Sequence, residues 1–192
     1  MSSPATDPTR RDLGGRQADR VDALVDAALA ELREHGYEGL TVRNSARRAG
    51  VAAATAYTYF GSKDHLVAEV FWRRLQTLDP APSRPRSELG RVQAALRSLA
   101  LLIAEEPELA AASTTAILAQ DPDVQRLRNR IGTAFTDRLA AALDPGADAA
   151  ILRALNLALA GALLQAGMGY FTYAELADRM DEVAGVVLRG AS

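Results

Sequence analysis

The sequence has 192 residues, of which 48% are hydrophobic and 24% charged, and its formal net charge is −2. This balance indicates a chain that buries a core and folds, as a single domain or as two small ones. Because it contains no cysteine, disulfides, thiolate metal sites, iron–sulfur clusters and cysteine catalysis are excluded. The two histidines, His35 and His65, lack the spacing of a zinc site, so we expect neither a metal nor a cofactor.

The first part of the chain predicts four helices. Apolar periodicity and capping residues place them over residues 16–35, 41–50, 53–59 and 62–75. Gly36 predicts the end of the first helix, while Thr41 and Ser62 are the expected N-caps of the second and fourth. The second and third helices are short and separated by a turn at Gly50, a spacing typical of a helix-turn-helix.

The remainder of the chain also predicts helices. Pro80, Pro82 and Pro85 form the clearest linker. Beyond them, the same signals predict helices over residues 89–103, 107–119, 122–143, 147–171 and 173–187. Asp121, followed by Pro122, is the expected N-cap of the helix over residues 122–143. The last follows a capping-box pattern of Thr172 and Glu175. Since no segment shows strand alternation, we predict an all-α fold of about nine helices. Its parts are a flexible N-terminal arm (residues 1–15), a three-helix helix-turn-helix domain (16–62) and a helical body (63–192).

One predicted helix is unusually apolar. Residues 154–171 carry no charge over 18 positions, which reaches the lower limit of a membrane span. Asn156, Gln165 and three glycines interrupt this run and no basic cluster flanks it, so we favour a helix buried between other helices. Residues 1–15 lack the apolar core of a secretory signal. We therefore expect a cytoplasmic protein that does not enter a membrane.

Basic residues are concentrated around the second and third helices. Residues 41–63 contain four cations and no carboxylate, a charge of +4 that leaves −6 for the remainder of the chain. Such a patch suits a phosphate backbone, although a solvated basic helix face produces the same pattern. The helix-turn-helix spacing favours nucleic acid, because this motif places its second helix in the major groove of DNA. The short and hydroxyl-bearing side chains of residues 53–59 permit such a close approach.

A set of motif residues extends over positions 27–71. They are Gly36-Tyr37, Thr41-Val42, Ala46, Ala49-Gly50-Val51, Thr55, Tyr57, Phe60 and Ser62-Lys63. Together with the alanine-rich first helix, this segment resembles the N-terminal DNA-binding domain of TetR-family transcriptional regulators. The resemblance implies that the domain core includes Ala28, Val42, Ala46, Val51 and Phe60. It implies that duplex operator DNA is contacted by Thr41, Arg43, Ala53, Ala54, Thr55, Tyr57, Tyr59 and Lys63.

Three positions depart from the family pattern. Ser45 replaces an apolar residue, Ala52 replaces the usual Ser or Thr cap of the third helix, and Ala56 replaces a common Leu. Without its cap, the third helix is expected to lose about 1 kcal/mol of stability. The smaller side chains predict looser packing. Because few side chains of the third helix can make bidentate contacts with bases, we expect sequence reading to depend on Arg43 and on DNA shape.

The resemblance further implies that residues 63–192 bind a ligand and form a homodimer. Its last two helices would pair with those of a second copy, although the eighth helix could instead be the centre of one subunit's core. A regulator of this family resembles a ligand-operated repressor, which leaves its operator when it binds a small, largely apolar effector. The candidate effector-binding residues are Trp72, Leu96, Leu99, Ile103, Ser113, Thr114, Ile117, Ile131, Phe135, Asn156, Gln165 and Tyr170. For the aliphatic members, ordinary core packing is the alternative.

Two other functions are compatible with a helical chain. The first is a small helical enzyme or carrier whose basic patch is incidental. The sequence has no GxSxG motif, nucleotide-binding glycine loop or glutamate–histidine ligand pair to support it. The second is a helix-turn-helix protein that mediates assembly alone. We therefore predict a DNA-binding regulator and no enzyme.

Overall fold

The computed structural model describes residues 15–79 and 87–190. Within these ranges the chain forms α-helices and one 3₁₀ turn, and no strand. The helices are α1 (Gly15–Gly39), α2 (Val42–Arg48), α3 (Ala53–Tyr59), α4 (Lys63–Gln76), α5 (Glu88–Ala104), α6 (Pro107–Ala116), α7 (Pro122–Ala142), α8 (Ala149–Gly167) and α9 (Leu176–Arg189), with the 3₁₀ turn at Tyr173–Glu175. The predicted all-α fold is confirmed for these residues. The proline linker and the N-terminal arm up to residue 14 lie outside them.

Three helices begin at the predicted capping residues. Side-chain oxygens of Thr41, Ser62 and Asp121 each accept a hydrogen bond from a backbone N–H in the first turn, at 3.0, 3.1 and 2.8 Å. Each bond satisfies one of the amide groups that a helix N-terminus leaves without an intrahelical partner. In contrast, α3 follows Ala52 without a side-chain cap, as predicted. The starts of α2, α4 and α7 are thus set by single local residues.

The ends of α1, α6 and α8 differ from the predicted boundaries by three or four residues, and α6 ends at Ala116 rather than at residue 119. α1 is interrupted at Gly36 (φ 65°, ψ −175°), as predicted, but a further turn continues to Gly39. α8 ends at Gly167, four residues before the predicted end, and Gly169 has a φ of +82°. A residue in this left-handed region cannot continue a right-handed helix. The predicted Thr172–Glu175 capping box is present, but it opens the 3₁₀ turn, and α9 begins directly after it.

A continuous core joins the first three helices to the body. In α1 to α4 its buried members include Leu24, Ala28, Leu32, Val42, Ala46, Ala56, Phe60 and Leu66. α4 also contributes Val70 and Phe71 to the same cluster, in which α5 packs against α9 and α8 against α7 and α9. Of the core positions that the resemblance implies, Val51 is half-buried and the others are buried. α4 therefore belongs to both parts of the molecule.

Two of the three residues that depart from the family pattern, Ser45 and Ala56, are fully buried. The Ser45 hydroxyl donates to the carbonyl oxygen of Thr41 at 3.2 Å. The hydroxyl therefore avoids the penalty of an unpartnered buried polar group. Ala56 lies on the side of α3 that faces the core. Neither substitution leaves an unsatisfied group.

α8 has one face that the other described helices leave uncovered. By length and composition α8 is apolar enough to cross a membrane: its most apolar stretch of 18 residues has a mean hydropathy of 1.6. Of that stretch, 17% is buried within the fold. Leu157 is 74% exposed, and Leu164 and Met168 are also exposed. This differs from the prediction of a helix buried among its neighbours, because α7 and α9 cover it from one side. An uncovered apolar surface of this kind marks an interaction site.

Candidate functional site

The turn between α2 and α3 depends on Gly50. Its φ of +66° lies in the left-handed region, which glycine occupies without steric cost. Directly after it, the Val51 N–H donates to the carbonyl oxygen of Ala46 at 2.9 Å, and Val51 packs against the core. The turn between the two helices therefore occupies residues 49–52, and α3 packs against α2.

α3 presents small and hydroxyl-bearing side chains to solvent. Of the predicted DNA-contact residues on this helix, the exposed ones are Ala54 and Tyr57, and the half-buried ones are Ala53, Thr55 and Tyr59. Tyr57 keeps 48% of its surface exposed, whereas the Tyr59 ring packs against the core. With Ala56 buried on the opposite side, the outer face carries methyl and hydroxyl groups. Such a face can approach the base edges of a groove closely.

The other three predicted contact residues flank α3. Thr41 and Arg43, at the start of α2, are exposed. Lys63 begins α4 and is anchored: its Nζ lies 3.8 Å from the centroid of the Tyr37 ring and donates to the Tyr37 carbonyl oxygen at 3.2 Å. An ammonium group has three donors, so this anchoring leaves others for a phosphate. All eight predicted residues thus lie in α3 or at the starts of α2 and α4, and each is at least partly exposed.

Tyr37 also links the end of α1 to α4 through its hydroxyl. That hydroxyl donates to the carboxylate of Asp64. Burial of the ring and the hydrogen bond to Asp64 raise the pKa of Tyr37. The phenol therefore remains protonated at neutral pH, and it holds the first turn of α4, with Lys63, against α1.

The cationic patch is smaller than the sequence suggests, because two carboxylates of α1 compensate the positive charge of Arg48. Its guanidinium donates to Glu34 and Glu31 of α1, each at 2.7 Å. Hydrogen bonds to these two carboxylates raise the pKa of Arg48. This cation ties α2 to α1. Arg43 and Arg47 are exposed and form no ion pair with any residue that the structure describes.

The DNA-binding helices are tied to two helices of the body. The Ser62 hydroxyl, which caps α4, donates to the carboxylate of Asp121, the cap of α7, at 2.9 Å. Arg33 of α1 pairs with Glu106 at the start of α6, with 2.9 Å between Nε and Oε2. The hydrogen bond from Arg33 lowers the pKa of Glu106. A movement of α6 or α7 relative to α1 and α4 must therefore stretch these contacts.

Side chains from α4 to α8 and from the 3₁₀ turn line a cavity of about 820 Å³. This volume lies within the range of small-molecule sites, and most of the wall is apolar, as in such sites. Seven of the twelve predicted effector-binding residues line it: Ile103, Ser113, Thr114, Ile117, Ile131, Phe135 and Asn156. The fold therefore brings residues that are far apart in the sequence to the wall of one cavity, which is open to solvent on one side.

The other five predicted residues lie outside this cavity. Leu96 and Leu99 of α5 are fully buried in the core, and Trp72 packs beside α7, with the Arg130 guanidinium 4.5 Å from its ring centroid. Gln165 and Tyr170 are exposed near the end of α8. Helical geometry accounts for Gln165, because the face that includes Asn156 recurs at positions 160, 163 and 164.

Several wall residues are absent from the sequence prediction. They include Phe71, Arg128, Gly132, Thr136, Leu152, Arg153, Leu157, Leu164 and Tyr173. On α7, residues 128, 131, 132, 135 and 136 form one stripe. Extending the helical period from Ile131 and Phe135 could have found this stripe from the sequence. Tyr173 carries no comparable signal, because it lies in the turn before α9.

The chain is similar to known bacterial regulators. Residues 24–70 match the family model described as bacterial regulatory proteins, tetR family. An HTH-type transcriptional regulator of Mycobacterium tuberculosis is 46% identical over 179 residues, which cover 92% of this chain and 84% of that protein. The transcriptional repressor KstR of Rhodococcus jostii is 33% identical over 125 residues, covering 64% of this chain and 58% of that protein.

A solved structure shows the same fold. The transcriptional regulator FadR from Bacillus subtilis, in complex with stearoyl-CoA, has a TM-score of 0.64 and 17% identity, covering 85% of this chain and 96% of that one. Regulators of this family bind operator DNA and small-molecule effectors, typically as dimers, and are not enzymes. The helix-turn-helix geometry and the 46% identity over nearly the whole chain lead to one assignment. The chain belongs to the TetR family of bacterial transcriptional regulators.

Proposed function

We propose that this protein is a homodimeric repressor that binds its operator in the cytoplasm and is released by a small, largely apolar effector. The observation that carries the proposal is the carboxylate-free surface of α2 and α3, which stands on the same chain as an apolar cavity of about 820 Å³. A cationic surface of this kind attracts duplex DNA through counterion release. The name of KstR, a repressor, supports repression over activation.

We assign the DNA contacts to the eight residues that the sequence predicts. α3 enters the major groove, where Ala53, Ala54 and Thr55 contact thymine methyl groups and Tyr57 lies against the base edges. The sugar–phosphate backbone of the DNA is contacted by Thr41, Tyr59 and Lys63, which bind phosphates. Arg43 is the long side chain at the start of α2 that can reach a guanine. Most phosphate contacts position the protein, so specificity depends on few side chains and on DNA shape.

The dimer forms through the uncovered faces of α8 and α9. On α8, residues 157, 161, 164 and 168 lie on one helical face, and Leu157 is 74% exposed; Leu157 and Leu164 also border the cavity, which therefore adjoins this face. On α9, Val186 is 66% exposed. Pairing these faces with those of a second copy would bury apolar side chains that one chain leaves in water. Gly161 permits close approach of the two helices, because no side chain stands between the backbones.

The effector acts from the cavity through the contacts that join the body to α1 and α4. Binding shifts the protein only if the effector has a higher affinity for the state that does not fit the operator. α6 and α7 line the cavity and also hold Glu106 and Asp121, the partners of Arg33 and Ser62. An occupied cavity that moves either helix therefore changes the placement of α4 and of the adjacent α3. The separation of the two recognition helices in the dimer changes with it.

The experiment is a titration of labelled duplex DNA from the region upstream of the gene, followed by fluorescence anisotropy at several salt concentrations. Because each subunit of the dimer brings Arg43, Arg47 and Lys63 to the DNA, and these cations displace condensed counterions, the affinity should fall by about 10³-fold between 50 and 200 mM salt. Tyr57→Ala should abolish operator binding while the dimer stays intact. Tyr170→Ala, an exposed tyrosine outside the cavity, is the matched control and should bind normally. Salt-independent binding, or an unaffected Tyr57→Ala variant, would contradict the proposal.

A further inference from the structure

We infer that the effector is an amphipathic anion, whose apolar body fills the cavity and whose acidic group pairs with Arg128. The inference rests on the proposed function, in which this cavity binds the effector. It names the chemical class of that effector from the charges and hydrogen bonds of the wall.

The charges of the wall select against a cationic ligand. Arg128 and Arg153 both line the cavity, and the described lining residues include no Asp or Glu. Neither arginine forms an ion pair with a described residue. A ligand cation would therefore meet positive charge that no carboxylate of the wall compensates, whereas a ligand anion would supply the missing partner.

Arg128 is held in place for such a partner. It is half-buried on α7, and its Nη1 donates to the carbonyl oxygen of Ile117 at 3.0 Å, at the C-terminal end of α6. A guanidinium has five donors in a planar fork, so the remaining ones can bind a carboxylate or phosphate in a bidentate manner. Arg153 is exposed and has no comparable anchor.

A buried hydroxyl without a partner lies on α6, the helix whose C-terminal end holds Arg128. Ser113 lines the cavity, is 7% exposed, and its Oγ makes no hydrogen bond with the described residues. It precedes Ile117 by four residues on α6, which is about 6 Å along the helix and on the same face. An unsatisfied buried hydroxyl is destabilising, and an acceptor on the ligand would satisfy it. Ser113 and Arg128 therefore mark the polar end of the site.

The other end of the cavity suits an apolar body. Its polar side chains already bond to protein groups: Thr136 Oγ1 donates to Asn156 Oδ1 at 3.3 Å, and Asn156 Nδ2 donates to the Leu152 carbonyl oxygen at 3.0 Å. Phe71 and Phe135 complete this part of the wall. Along α7, Thr136 follows Arg128 by eight residues, which corresponds to about 12 Å. The site is therefore elongated, with a charged end and an apolar end.

Three probes with the same alkyl chain and different head groups test the inference. Isothermal titration calorimetry of the full chain would compare dodecanoate, dodecan-1-ol and dodecylammonium. Dodecanoate should bind about 10-fold or more tightly than the alcohol, and dodecylammonium more weakly than either. Arg128→Gln should lower the affinity for dodecanoate by about 10–100-fold and leave the alcohol within about twofold. Arg126→Gln, an exposed arginine of α7 paired with Asp123, should change neither.

Equal affinity of wild type for dodecanoate and the alcohol would overturn the inference, as would a loss in Arg153→Gln with Arg128→Gln unaffected. Should Arg128→Gln fail to fold, Ser113→Ala provides the second variant. This variant should lower the affinity for dodecanoate by about 3–10-fold and leave the affinity for the alcohol unchanged. An unchanged affinity for dodecanoate would overturn the inference. If the alcohol binds as well as dodecanoate and also releases the operator, the proposed function stands without the anionic effector. If no probe binds, the anionic effector is overturned; operator binding by the same sample then shows whether DNA recognition survives.

Discussion

The DNA-binding surface and the effector cavity of this chain are assembled in opposite ways. The former comes from residues 41–63, a contiguous segment whose helices are fixed by local caps and one glycine turn. The latter draws its wall from residues between Phe71 and Tyr173, which only the packing of α4 to α8 brings together. Both surfaces carry arginine and no carboxylate. In water, exposed cations suit a polyanion; in the cavity, one anchored cation suits a single acidic group.

Because of this difference, the DNA-binding surface and the cavity can be altered separately, and the coupling between them depends on few contacts. A change on α2 or α3 should leave the cavity intact, because no residue of either helix lines it. Communication depends on the contacts of Ser62 with Asp121 and of Arg33 with Glu106. The following variants separate the two surfaces, in decreasing order of the expected effect.

The largest effect is expected from Val186→Glu on α9, which should impair operator binding and leave ligand binding intact. A carboxylate in an apolar dimer face is strongly unfavourable, so the variant should be monomeric by light scattering. Loss of the second half-site should weaken operator binding by about 10²–10⁴-fold, while dodecanoate should still bind the cavity. Gln125→Glu, an exposed position on α7, introduces the same charge and should remain dimeric. A dimeric Val186→Glu protein would show that the copies associate through another surface.

A smaller loss is expected from Arg43→Ala. Removing this side chain should cost about 1–3 kcal/mol of operator affinity and relax the sequence preference at the contacted base pair. Calorimetry should show unchanged ligand binding, because Arg43 is remote from the cavity wall. Arg126→Ala is the matched control, since its guanidinium pairs with Asp123 on the surface of the body. Equal losses for operator and unrelated DNA would assign Arg43 to a phosphate.

Gly50→Ala should destabilise the turn before α3. A residue with a Cβ at a φ of +66° carries a strain of about 1–2 kcal/mol. Urea unfolding should therefore show a lower free energy of unfolding. Gly132→Ala in the middle of α7 is the control: no neighbouring atom lies within 4 Å of the added Cβ, and alanine favours the helix by up to about 1 kcal/mol. Opposite signs are expected for the two variants, and equal signs would refute the strain argument.

The smallest effect is expected from Ala52→Ser, which restores a cap to α3. A serine hydroxyl here can accept from a first-turn N–H and should stabilise the protein by about 0.5–1 kcal/mol. Ala54→Ser, inside the same helix, should bring no gain, because serine favours helix interiors less than alanine does. The measurement is again urea unfolding. A stabilising Ala54→Ser would show that the gain does not come from capping.

The sequence predicted best those features that depend on neighbouring residues. Thr41, Ser62 and Asp121 cap their helices within two or three positions, and Gly36 interrupts α1 where expected. The neutralisation of Arg48 could not be predicted, because it requires α1 and α2 to pack at a particular angle. For the same reason the four cations of residues 41–63 looked equivalent in sequence and are not equivalent in the structure.

The cavity was predicted in part, since apolar periodicity does not tell a core residue from a wall residue. Leu96 and Ile103 share the apolar face of α5, yet Leu96 is in the core and Ile103 lines the cavity. Arg128 lies on the helical period of Ile131 and Phe135, but its charge argued for the surface, because a charged residue within a helix usually faces water. The hydropathy of α8 was compatible with burial inside one subunit or with pairing to a second copy; in a single chain one face of α8 is exposed, which excludes the first, while the pairing stays a prediction.

Hydroxyl-radical footprinting of the upstream DNA tests the central claim most directly, because it locates both recognition helices at once. Two copies of α3 held by one dimer should protect two patches in successive turns of the duplex, about one helical repeat apart. The Tyr57→Ala protein should leave both patches unprotected. A single protected patch, or protection that survives in Tyr57→Ala, would contradict the account in which paired α3 helices recognise the operator.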